Sequence, residues 1–259
     1  MLILLPPSEG KATPSRGAPL KLAKLSFPSL NPTRSSVQEA LTRLCSGPAA
    51  KARTVLGISA RQVDELERNR ALATSPTAPA AEIYTGVLYD ALNIATLPKR
   101  SRARASSDIA IASALFGLVR VDDPIPAYRL SGDGSLPGIG KLATAWREVV
   151  PDAIVDAAGL GVILDLRSSA YVALGPVPDD LSERTLVARV LQEKAGKRSV
   201  VSHHNKATKG RIVRALLAQP QAHTVSDLAG ALGDAGYRVE LAAPTKAGPW
   251  TLDVVVRDL

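Results

Sequence analysis

The sequence predicts a mixed α/β fold, a single domain spanning 1–259 with a mixed central sheet and flanking helices. Three observations carry that expectation. Short apolar runs that stop at Pro, Gly or Ser recur along the chain, helical stretches lie between them, and two alternating segments close it. With 46% hydrophobic and 22% charged residues over 259 positions, there is enough apolar surface for one core.

The elements follow in order. Leu2–Leu5 runs into Pro6-Pro7, the pattern of a buried strand feeding a rigid loop. Pro14, Gly17, Pro19, Pro28 and Pro32 predict a long loop over Lys11–Thr33. A helix is expected from about Ser36 to Cys45, with Val37, Leu41 and Leu44 on one face and Ser35 or Ser36 as N-cap. A second is expected over Ala60–Ala73 on Val63, Leu66 and Leu72, and a short third over Gly86–Leu92. Ile109–Ala112 reads as a strand leading to Ser113 and Gly117, and a helix follows over Ile139–Val150. Gly161–Leu166 is a further strand, and Ser199–Ser202 another that enters a helix over Thr208–Gln219. After a helix over Ser226–Asp234, Tyr237–Ala242 and Trp250–Arg257 predict a terminal hairpin.

Composition narrows the function classes. Cys45 is the sole cysteine, which excludes an intramolecular disulfide and a Cys-based metal cluster and fits a reducing compartment. No apolar run approaches the roughly 18 residues of a spanning helix, and MLILLPPSEGK has no basic n-region before its apolar residues. It reads as a mature first strand, and no membrane partner is expected. The net charge of +8 is concentrated: residues 1–80 hold 11 Lys/Arg against 5 Asp/Glu. Such a field attracts polyanions, so nucleic acid or a phosphorylated ligand is the expected partner class.

Residues able to do chemistry gather at strand ends, where open sheets collect ligands. Ser8, Glu9 and Lys11 place a hydroxyl, a carboxylate and an amine together, although the segment is neither a P-loop nor a dinucleotide fingerprint. Tyr84, Tyr89, Phe116 and Tyr128 stand in or beside Gly/Pro-rich turns, and Tyr128-Arg129 pairs a ring with a phosphate-binding fork. Arg167 and Ser168 follow another strand. Lys206 and Lys209 flank Thr208 at a strand-to-helix junction, where free N–H groups favour anions. The candidate catalytic residues are therefore Ser8, Glu9, Lys11, Ser113 and Tyr128. The candidate ligand- or phosphate-binding residues are Lys11, Tyr84, Arg129, Arg167, Ser168, Lys206 and Lys209. Each cluster has a structural alternative: a rigid loop with solvated charges, tyrosines capping a core, or a solvated helix start. His203 and His204 would point opposite ways on a strand with no Cys nearby, so neither metal nor other cofactor is expected. Ser113, His203 and Asp165 lack the G-x-S-x-G elbow of a hydrolase.

PPSEGK at 6–11, YTGVLYDAL at 84–92, SALFGLVRVDDPIPAYRL at 113–130, LRSSAY at 166–171 and KATKGR at 206–211 occur in that order. Together they resemble the YaaA family of bacterial peroxide-stress proteins, in its LLPPSEGK branch. The better-studied branch has SPAKT in place of PPSEGK, Tyr in place of Phe116 and Arg-Gly in place of Lys209-Gly210. The resemblance implies a single mixed α/β domain, a cytoplasmic location and a role in limiting iron-dependent oxidative damage under peroxide stress. It also implies binding of double-stranded DNA through a helix-hairpin-helix sub-element, here within 35–73, with Leu56-Gly57-Ile58-Ser59 as the hairpin. Its DNA-binding residues would be Lys51, Arg53, Gly57, Ser59, Arg61, Arg68 and Arg70, the turn amides holding a phosphate and the cations supplying counter-charge. Ser59 stands where the usual hairpin has a second Gly. The alternative expectation is an enzyme acting on a nucleotide or other phosphorylated small molecule at a strand-end pocket. The oligomeric state is left open.

Overall fold

The structure, a computed structural model, describes residues 1–194, 197–199, 202–244 and 248–256. Its strands are β1 Leu2–Leu5, β2 Ala78–Pro79, β3 Ile109–Ser113, β4 Gly117–Arg120, β5 Pro124–Ile125, β6 Ser135–Leu136, β7 Gly140–Lys141, β8 Ile163–Asp165, β9 Thr185–Lys194, β10 Lys197–Ser199, β11 Arg238–Ala242 and β12 Trp250–Val256. Its helices are α1 Asn31–Ser46, α2 Ala49–Leu56, α3 Asp64–Arg70, α4 Ala80–Ile83, α5 Val87–Leu92, α6 Lys99–Asp108, α7 Leu142–Arg147, α8 Val150–Ala158, α9 Ser169–Val172, α10 Ser202–Ala218 and α11 Val225–Asp234.

The mixed α/β class is as expected. An 8-stranded sheet runs β11-β12-β9-β8-β1-β3-β4, with β10 also on β9. Its middle is parallel from β12 to β3, and β11, β10 and β4 add antiparallel pairs. In β1, Ile3 faces Ile109 on one side and Leu164 on the other, and all four of its side chains are buried. Such burial on both faces explains why this strand reads as an unbroken apolar run rather than an alternating one.

Arg34 of α1 ties the N-terminal third to the sheet. Its buried guanidinium donates to the carbonyls of Phe116 (2.9 Å), Leu118 (2.7 Å) and Ser26 (2.8 Å) and to Asn31 Oδ1 (2.8 Å). Burial lowers its pKa to about 10 against the opposing pull of Asp123. Asp123 in turn accepts from the Ser26 amide and hydroxyl and from the Arg120 amide.

Several boundaries differ from expectation. Helix α1 begins at Asn31, before Ser35 and Ser36, because Pro32 sits in its first turn, where the missing N–H costs nothing. The expected loop before it contains 3-10 turns at Leu22–Lys24 and Pro28–Leu30. The helix expected over 60–73 is a 3-10 turn at Ala60–Gln62 followed by α3. The single helix expected over 139–150 is two, α7 and α8, broken at Val149 (φ −128°) and restarted with Pro151 in the first turn of α8. Strand β9, unforeseen, fills the sheet between β8 and β12. Of the strand expected at 199–202, Ser199 ends β10 and Ser202 opens α10, while Val200 and Val201 lie outside the described residues, as does Arg257. His203 and His204 belong to α10 and not to a strand, and because α10 starts at Ser202, Thr208 and Lys209 lie inside the helix, beyond the first-turn N–H groups expected there to favour anions. The terminal hairpin forms as expected, β11 antiparallel to β12.

Candidate functional site

The site is built where β1 and β8 end. Pro6-Pro7 carry the chain out of the sheet, and Ser8 closes the next turn, donating to the Gly10 carbonyl (2.5 Å) and accepting from the Thr85 amide (3.0 Å). A β-bridge from Lys11 to Tyr84 stitches PPSEGK to YTG. The Lys11 ammonium donates to the carbonyls of Ser8 (2.9 Å) and Glu9 (3.4 Å) and lies 4.3 Å from the Tyr128 ring centroid and 5.6 Å from that of Tyr84. Burial, then the nearby Arg129 charge, bring its pKa down to about 8.

Beneath it runs a chain of hydroxyls. Tyr84 and Tyr128 share a hydrogen bond at 2.9 Å, Tyr128 and Ser113 share another at 2.8 Å, and Ser113 Oγ accepts from the Phe116 amide at 3.0 Å. Burial pushes both tyrosines well above their ordinary pKa, so they stay neutral. Tyr84, Ser113 and Tyr128 are thus brought together with Lys11, but as the floor beneath the ammonium: all three are fully buried or nearly so.

A cavity of about 590 Å³ opens beside this floor, lined by Ser8, Glu9, Tyr89, Tyr171, Ser168, Asn205, Lys206 and Lys209 among others. Tyr89 donates to the Pro6 carbonyl at 2.7 Å. Lys209 donates to the Leu166 carbonyl at 2.9 Å, and burial lowers its pKa, Asp165 opposing. Lys206 is exposed, and Asn205 Oδ1 is buried with no hydrogen-bond partner among the described residues. Arg167 lies apart: its fully buried guanidinium makes a fork onto Asp165 (2.9 and 2.7 Å) and a bond to the Gly175 carbonyl (2.8 Å). These bonds hold the end of β8, and Arg167 does not line the cavity.

A second hollow, of about 560 Å³, lies between Thr54–Gly57 and the segment Leu130–Pro137. Ser131 lines both, so the two adjoin as one cleft. At its far end α2 stops at Gly57, whose left-handed backbone (φ 61°) turns the chain toward α3. Helix α2 leads through this turn and a 3-10 turn at Ala60–Gln62 into α3, and the turn departs from expectation in its free donors. The amides of Gly57, Ile58 and Ser59 already donate to Thr54 O (3.3 Å), Arg53 O (3.1 Å) and Gln62 Oε1 (3.0 Å). The expected cations also divide. Arg68 pairs with Glu65 at 2.6 Å, Arg70 pairs with Glu67 and donates to the Cys45 carbonyl, and Arg53 is half-buried. Lys51 and Arg61 face solvent.

Sequence reasoning missed Asn69, Asn205, Ser131 and Tyr171. Tyr171 was within reach, since it ends the LRSSAY segment; the others carry no local signal. Among the described residues no three His, Cys, Asp or Glu side chains converge as a metal site, and no helix is long and apolar enough to cross a membrane.

Fold and site define an α/β protein with a cationic, tyrosine-lined cleft at the ends of its parallel strands. The chain belongs to the peroxide stress protein YaaA family, whose model matches residues 1–243. It is 49% identical over 261 residues to UPF0246 protein SCO2297 of Streptomyces coelicolor, covering 100% of both chains. To UPF0246 protein Cgl1995/cg2186 of Corynebacterium glutamicum it is 45% identical over 245 residues, 93% of this chain and 95% of the relative. A UPF0246 protein of Ruegeria sp. is 31% identical over 201 residues, 74% of this chain and 79% of the relative.

Proposed function

We propose that this chain serves the peroxide stress response as a cytoplasmic DNA-binding protein, contacting duplex phosphates along the cleft from the α2–α3 turn to the strand ends. One observation carries the reading: unpaired cations border both hollows. Lys206 lines the first, Lys51 and Arg61 bracket the turn residues of the second, and Arg129 precedes Leu130 on its wall. Among the described residues none of the four makes an ion pair. Phosphate contacts of this kind position a protein on DNA without reading its sequence, and limitation of iron-dependent damage would be exerted at the DNA itself. The test is anisotropy of a labelled duplex across a salt series, with wild type beside Lys51→Ala/Arg61→Ala. The expected log–log slope is steep and becomes shallower by about 2 in the double variant. Binding that is absent, or indifferent to salt, would refute the reading.

A second reading is an enzyme acting on a nucleotide or other phosphorylated small molecule. It is favoured by Asn205, Lys206 and Lys209 meeting in the first cavity. Calorimetric binding of a nucleoside monophosphate that weakens in Lys206→Ala, with no duplex binding, would decide for it.

A further inference from the structure

We infer that the strand-end cavity receives a single nucleotide unit extruded from a duplex held along the cleft. This rests on the DNA-binding reading and gives it a specificity that phosphate contacts alone lack.

The argument starts from adjacency. The cavity at the strand ends and the hollow at the α2–α3 turn share Ser131, so a backbone held at the turn passes the mouth of the cavity. At about 590 Å³ the cavity falls in the range that encloses small-molecule ligands, ample for a nucleotide. Two aromatic side chains, Tyr89 and Tyr171, line it. The Tyr171 ring is seated at the junction of the two hollows because Gly132, next to Ser131, packs against it; a Cβ at Gly132 would fall 3.0 Å from the ring. The Tyr89 ring is buried and stacked on Tyr84, so Tyr171 is the ring that offers a face to an unpaired base, and such stacking tolerates any sequence.

The polar groups fit the same occupant. Asn205 Oδ1, buried without a hydrogen-bond partner among the described residues, calls for an N–H donor, which every base presents on its pairing edge. Lys206 is exposed at the rim and Lys209 half-buried further in, placing positive charge on the flanking phosphates. Extrusion costs least where a base is mismatched or damaged. The cavity would therefore bias binding toward such sites.

The experiment compares two labelled duplexes, one fully paired and one with 2-aminopurine at a single mismatch. Proteins are wild type, Tyr171→Ala and Asn205→Ala, each first checked for an unchanged unfolding transition; Tyr171→Leu or Asn205→Leu replaces the corresponding variant if it fails this check. Wild type is expected to bind the mismatched duplex at least threefold more tightly and to change the probe's emission twofold or more at saturation. Both variants should lose preference and emission change while keeping wild-type affinity and salt slope on the paired duplex. Equal affinity for the two duplexes with unchanged emission would overturn the inference, as would variants that behave like wild type. Absence of binding to either duplex would instead overturn the DNA-binding reading itself. In that case, Asn205-dependent binding of a free deoxynucleoside monophosphate would assign the cavity to small molecules.

Discussion

Asn69 of α3 clasps the backbone of Arg129 from both sides: its Nδ2 donates to the Arg129 carbonyl at 2.8 Å and its Oδ1 accepts from the Arg129 amide at 2.9 Å. The side chain thereby copies one rung of a β-ladder and fixes α3 to the segment that carries Tyr128 into the site. Replacing it with Ala leaves a buried amide and carbonyl unmatched, at a cost of about 1–3 kcal/mol. Asn69→Ala is expected to unfold about 3–10 °C lower in a thermal melt. An unchanged transition would show that the clasp is dispensable.

Gly210 explains part of the KATKGR segment in mechanical terms. It sits where α10 lies against α5, and a Cβ there would come within 2.2 Å of the Leu88 carbonyl and 2.9 Å of the Leu92 amide nitrogen. Backbone cannot step aside as a flexible side chain can. Gly210→Ala should cost about 1–3 kcal/mol and displace α10, and with it Lys206 and Lys209. Calorimetric unfolding would register the loss, and a wild-type melting temperature would contradict it.

Arg34 offers a sharper contrast, because Arg34→Lys keeps the charge while removing the fork. A single ammonium cannot reach the carbonyls of Phe116, Leu118 and Ser26 together as the guanidinium does. The expected loss is about 3 kcal/mol, measured by denaturant unfolding as a lower midpoint at unchanged slope.

Lys11 predicts a dependence on pH. The unfolded chain holds this proton to about pH 10.5 and the folded one to about 8. Between those values the unfolded state binds more protons, so this group makes stability rise with pH across that window. The stability of wild type relative to Lys11→Met should therefore rise between about pH 8 and 10.5, a comparison that denaturant unfolding at fixed pH makes directly, and a constant difference across that window would contradict it.

The sequence shows most clearly what is locally encoded. Strands β1 and β3 are apolar runs, and the β11–β12 hairpin announces itself by alternation. Strand β9 escaped because one of its inward positions is the small Ala188, between Leu186 and Val190, which blunts the alternation. The break at Val149 is likewise invisible when Ile139–Val150 is read as one amphipathic stretch. In the site, the PPSEGK, YTG and AYR segments could be singled out, but not their assembly. Asn69 meets Arg129, and Arg34 meets Phe116, across separations of 60 and 82 residues. Arg167 shows the converse: its position after a strand suggests a ligand, and only the fork onto Asp165 reveals a strut.

The place of β1 in the sheet also sets the order in which the chain can be completed. Residues 2–5 pair with Ile109–Ile111 on one side and with Ile163–Asp165 on the other. During synthesis the first strand therefore waits, apolar and unpaired, until β3 has emerged, and its other edge stays open until residues 163–165 of the 259 have followed. Parallel pairings of such long range form slowly. The nascent chain is exposed to aggregation for that whole interval, and its productive folding depends on how quickly translation delivers β8.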